Sequence, residues 1–156
     1  MKFLASILFI LFFSACSHQN GFSKFDLTLD QERAIDSLQS GKIYDRKDAA
    51  GIFAAIHLNE VYPQEFYKQE TFLVYFYLKE DATALSANCF YLNKQAPLEI
   101  ETLPPLNRFS HLSGVENEWN QYFVISFALQ QEDKMLLKLE DERFSSSTLL
   151  FRKNEE

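Results

Sequence analysis

From residue 42 onward, hydrophobic residues recur with period two, in short runs broken by polar clusters. The clearest run covers residues 70–79, where Phe72, Val74, Phe76 and Leu78 fall on one face and Leu73, Tyr75 and Tyr77 on the other. Successive strand side chains point to opposite faces, so a run apolar on both predicts a central strand. Residues 122–129 resume the alternation with Phe123, Ile125, Phe127 and Leu129 on one side. Residues 134–140 set Met135, Leu137 and Leu139 against Leu136, Lys138 and Glu140. Leu98 and Ile100 alternate with Glu99 and Glu101, which predicts a strand with one solvated face. Shorter candidates occupy 42–44, 89–92 and 148–152. Residues 51–59 fit two patterns: Ile52, Ala54, Ile56 and Leu58 alternate as in a strand, yet an Ala-rich run after Asp48 suits a helix. The strand is preferred.

Ahead of this region, Asp30-Gln31-Glu32-Arg33 opens a helical pattern with Ala34, Ile35 and Leu38 on one side. Asp30 is the expected N-cap and Gly41 the expected stop. A helix of at most three turns is marginal alone and has to pack on something. Residues 62–67 read as a loop rich in aromatics. Pro104-Pro105 starts a long connection through Asn120, the kind of segment in which function often resides. The whole pattern predicts a mainly β fold, an antiparallel β-sandwich of about seven or eight strands with a short N-terminal helix.

Composition narrows the class. In 156 residues, 47% hydrophobic and 15% aromatic content is enough for a packed core and too much for a disordered chain. The length suits one domain. A net charge of -7 leaves no electrostatic footprint for nucleic acid and no polybasic patch for anionic lipid.

Residues 1–15 change the picture most. Lys2, an apolar run from Phe3 to Phe13 and the small Ser14 and Ala15 have the layout of an export signal. The run is shorter than the roughly 20 residues that span a bilayer. Phe13-Ser14-Ala15-Cys16 resembles a bacterial lipobox, with Phe13 where Leu is favoured. The resemblance implies cleavage after Ala15 and a lipid on Cys16, which would attach the chain to a membrane. Ser14-Ala15 also suits an ordinary signal cut, with Cys16 incidental. Ser17, in place of Asp, points by the family's sorting rule to the outer membrane. The expected domains are a signal over 1–15, a polar tether over 16–28 and a helix plus sandwich over 29–153.

With this lipobox, the Ala54-Ala55-Ile56-His57-Leu58-Asn59 segment and the Thr71-Phe72-Leu73-Val74-Tyr75-Phe76-Tyr77-Leu78 strand, the chain is similar to small bacterial lipoproteins with an immunoglobulin-like domain. It departs from antibody-type domains in lacking their paired cysteines, since only Cys89 remains, and its one Trp, Trp119, precedes a late strand. Cys89 is expected as a small buried apolar residue, with no neighbouring base to activate it.

No catalytic constellation emerges. His18, His57 and His111 are far apart and lack metal-ligand spacing; His57 is expected as a packed or half-exposed side chain instead of a ligand. His111 lies near Ser110 and Ser113, but no GxSxG elbow surrounds either serine. The acidic groups at 116–118, 132–133 and 140–142 lack a calcium-loop pattern. No metal or other cofactor is expected. The remaining signal is a set of aromatics at or near loops: Tyr62, Phe66, Tyr67, Phe109, Trp119 and Tyr122. They either plug the ends of the sandwich or form a contact patch for another envelope protein. The expected function is a non-catalytic, membrane-anchored interaction module facing the periplasm or the cell surface. The alternative is a carrier that holds a small apolar ligand between its sheets.

Overall fold

The structure, a computed structural model, describes residues 27–79, 89–114 and 116–153. The predicted signal, Cys16 and the tether up to residue 26 lie outside the described residues. Among the described residues no helix is long and apolar enough to cross a membrane.

Helix α1 (Leu29–Ser37) starts two residues earlier than the expected cap at Asp30 implies. Its N-cap is Thr28, whose hydroxyl accepts the Gln31 N–H while the Gln31 side chain accepts the Thr28 N–H. This reciprocal box satisfies two otherwise unpaired donors, and Asp30 instead lies in the first turn against the positive end of the helix dipole. Ala34 is the buried residue of the predicted stripe; Ile35 and Leu38 stay exposed. Gly41 does not stop the helix. It lies inside β1 (Gln39–Asp45), where an added Cβ would come 2.7 Å from the Ser147 Cβ.

Strand β2 (Asp48–His57) resolves the ambiguous segment as a strand, because both of its edges are paired, to β1 and to β3 (Glu70–Leu78). A single helical turn, α2 (Leu58–Val61), follows it. The remaining elements are β4 (Phe90–Leu92), β5 (Glu99–Leu103), the turn α3 (Ser110–Ser113), β6 (Gln121–Phe127), β7 (Lys134–Leu139), β8 (Phe144–Ser146) and β9 (Leu149–Arg152). Helix α3 falls inside the segment read as a long connection, and β8 lies where no alternation predicts a strand.

The described residues form nine strands in two antiparallel sheets, ordered β5-β6-β3-β2-β1-β8 and β4-β7-β9. This is a β-sandwich. Phe72, Val74 and Phe76 of the large sheet meet Phe90, Met135 and Leu137 of the small one in a single core. Rings of Phe53, Phe76, Phe90 and Phe123 lie 5.7–6.3 Å apart between the sheets, in the space a carried ligand would need. On its other face the large sheet packs Ile56, Leu73 and Val124 against Ala34, Val61 and Leu112 from the three helices. Strand β3 is therefore covered on both sides as far as Tyr75, which accounts for its two apolar faces, and Tyr77 near its end is exposed.

Candidate functional site

At Ser147 the chain leaves the large sheet for the small one, held by a hydrogen bond from the Ser147 N–H to the Lys42 carbonyl at 2.8 Å. Beyond this corner β9 pairs with β7 in the small sheet, and a cleft of about 790 Å³ opens between β9 and α1. Arg33, Asp36 and Ser37 of α1 form one wall, and Leu150 and Arg152 of β9 form the other. His57 and Glu70 lie at its floor, each only 2% exposed.

Local chemistry brings these two together. The Asn59 side chain donates to the carbonyls of Phe66 and Gln69, the latter at 2.7 Å, and accepts the Thr71 N–H at 2.8 Å. One side chain thus ties the loop after α2 back to the start of β3. His57 pairs across the ladder with Phe72 and stacks on its ring at 4.7 Å. Its backbone N–H donates to the Ser37 hydroxyl at 2.8 Å, which fixes α1 beside the end of β2.

Glu70 Oε2 lies 3.1 Å from His57 Nε2. Its Oε1 accepts the Gln130 N–H at 3.1 Å and pairs with Lys153 Nζ at 2.8 Å. Lys153 also donates to the Gln130 carbonyl. Burial alone would raise the Glu70 pKa, but His57, Lys153 and the Gln130 N–H hold it down at about 2. Burial lowers the His57 pKa, yet hydrogen bonding and charge from Glu60 and Glu70 outweigh it, and the net shift is upward. His57 Nδ1 lies 3.7 Å from Glu60 Oε1, at ion-pair distance. The arrangement sets the His57 ring between two carboxylates, a clasp joining β2, β3 and the residue after β9.

Of the groups singled out in the sequence, His57 belongs to this clasp, and Cys89, Ser110 and His111 lie apart from it. Cys89 is buried, and burial pushes its thiol up to about 12. Ser110 is buried with its hydroxyl taken up by the Asn107 N–H and the Pro105 carbonyl. His111 Nε2 lies 3.0 Å from the Tyr62 hydroxyl. Among the described residues no group of three or more His, Cys, Asp or Glu side chains could hold a metal ion.

The six aromatics do not form one exposed patch. Tyr62, Phe66 and Phe109 pack as a triangle of rings 6.3–6.4 Å apart over the helix-side core. Phe109 and Tyr122, read as lying at or near loops, are buried at 4% and 2%. Phe109 is drawn in because α3 covers the sheet, and Tyr122 because it pairs with Tyr75 in the sheet interior. Tyr67 and Trp119 remain exposed at 61% and 72%, next to opposite ends of the β3–β6 ladder.

Sequence reasoning missed Glu70, Lys153 and the cleft. The available signal was a carboxylate opening an otherwise apolar strand, where it starts the run instead of ending it.

No family model, no curated protein and no solved structure matches this chain.

Proposed function

We propose that the chain is a lipid-anchored lipoprotein of the bacterial cell envelope whose sandwich is a non-catalytic protein-interaction module. The observation that carries the reading is the apolar run from Phe3 to Phe13 closed by Phe13-Ser14-Ala15-Cys16. In this reading the thiol of Cys16 carries diacylglycerol, and two acyl chains supply stable attachment that a net charge of -7 cannot supply through anionic lipid. The domain is then confined to a membrane plane, with Ser17 favouring the outer membrane, and its effective concentration toward a membrane-bound partner rises. The two-sheet architecture is compatible with an immunoglobulin-like relative, and a ring-filled interior suits a surface-acting module better than a carrier.

Metabolic labelling with an alkyne fatty acid tests the anchor. Label should appear on the N-terminal peptide beginning at Cys16, and Cys16→Ala should abolish it and move the protein out of the membrane fraction. Labelling that persists in the variant overturns the anchor. Cross-linking in intact cells tests the module: the expected result is a defined envelope protein captured by the wild type and lost in Cys16→Ala.

A further inference from the structure

We infer that the free edge of β9, where it borders the cleft, takes an extended peptide segment of a partner protein as an added strand of the small sheet. This rests on the interaction-module reading but not on the lipid. Loss of the anchor would leave it standing, and the assays below can fail without touching Cys16.

The ladder fixes which backbone groups are available. Lys153 donates its N–H to the Asp133 carbonyl at 3.0 Å, so residues 153, 151 and 149 direct their backbone groups at β7. Leu150 and Arg152, the intervening residues, direct theirs to the open side. The pattern agrees across the sheet. Leu136, which opposes Leu150, turns its own groups away, accepting the Asn93 N–H at 3.0 Å and donating to the Asn93 side chain at 2.9 Å. Among the described residues, no hydrogen bond reaches the outward groups of Leu150 or Arg152.

Other edges are guarded as natural sheets usually guard them. The β5 edge bears Glu99 and Glu101, with Glu101 held in a two-pronged pair by Arg108 at 2.6 and 2.8 Å. At the β4 edge, Leu92 donates its N–H to the Gln95 carbonyl at 3.0 Å. β9 instead borders the cleft, across from Arg33, Asp36 and Ser37 of α1.

Charge narrows the occupant further. Arg152 on one rim and Asp36 on the other have no ion pair among the described residues. A complementary segment presents a carboxylate toward Arg152 and a cation toward Asp36. Main-chain pairing supplies affinity and the side chains supply selectivity, as in strand addition generally.

The test selects random linear twelve-residue peptides displayed on phage against the purified full chain, then measures binding of the synthetic peptides by fluorescence anisotropy. N-methylation at alternate peptide residues should weaken binding at least tenfold in one phase and leave it unchanged in the other, because only one set faces β9. Leu150→Pro removes an outward donor at an edge position and should cost a similar factor with an unchanged melting temperature. Arg152→Glu should weaken binding of peptides carrying the matching carboxylate, a readout that stands if Leu150→Pro does not fold. The proposal is overturned if no peptide is selected, or if binding ignores both the methylation phase and Arg152→Glu. It is equally overturned if sedimentation shows a dimer of this chain that Leu150→Pro dissociates, since a second copy then occupies the edge.

Discussion

His57 and Glu70 meet at the buried ends of two paired strands, with Nε2 3.1 Å from Oε2 and each residue 2% exposed. The ionised pair is favoured in the fold, since the His57 pKa is raised above 6.5 and the Glu70 pKa is lowered from 4.5 to about 2. A raised pKa contributes stability that is complete below pH 6.5 and lost as pH climbs through the folded value. A depressed one contributes stability present above pH 4.5 and lost as pH falls toward 2. The clasp is thus strongest between about pH 4.5 and 6.5, and its acid limb is worth at most about 3 kcal/mol. Urea unfolding midpoints measured from pH 3 to 9 should show that plateau. A midpoint that keeps rising from pH 6 to 9 would remove His57 from the account.

Glu70→Gln keeps the side chain's shape but leaves His57 and Lys153 without their shared counter-charge. Breaking a buried pair from one side costs roughly 3–5 kcal/mol. The alkaline fall in stability should shrink with it, because His57 loses the nearer of its two carboxylates. Chemical denaturation at pH 6 and pH 8 checks both expectations.

Asn59→Ala removes three hydrogen bonds to the backbone of Phe66, Gln69 and Thr71. At about 1 kcal/mol each, the loss should be roughly 3 kcal/mol. Hydrogen exchange should then accelerate first at the Thr71 amide, before the rest of β3. Uniform acceleration along the strand would show that Asn59 supports the whole fold and not the loop alone.

Gly51→Ala should be among the costliest single-methyl additions. The new Cβ would lie 2.0 Å from the Tyr77 carbonyl oxygen, which is backbone and cannot rotate away, so the β2–β3 ladder has to shift. Overpacking of this kind costs about 1–3 kcal/mol, and backbone displacement places this variant at the upper end. Gly114→Ala meets open space, and its penalty comes from a left-handed φ of 61°, about 1 kcal/mol. Melting temperatures should rank the two in that order.

Cys89 should resist thiol reagents in the native state. It is 2% exposed and its pKa is pushed up to about 12, so almost no thiolate exists at neutral pH. In Cys16→Ala, where Cys89 is the one thiol left, labelling should track the unfolded fraction across a urea titration.

The sequence by itself determined the sandwich strands whose signal is local. Alternation in one strand places its own side chains on two faces, whatever the partners are. Met135, Leu137 and Leu139, read as one apolar set, are each fully buried, and the doubly apolar run at 70–79 is a central strand paired on both edges. Three features needed the tertiary structure. Thr28 and Asp30 both have side chains able to cap a helix, and only the path of the chain chose Thr28. Strand β8 carries no apolar alternation; it forms at the edge of β1, and its Ser146 hydroxyl accepts the Leu139 N–H. The clasp joins side chains from two neighbouring strands and the far end of the chain. No periodicity records such a meeting, because it depends on strand register and on where β9 lies in the small sheet, which the whole fold settles together.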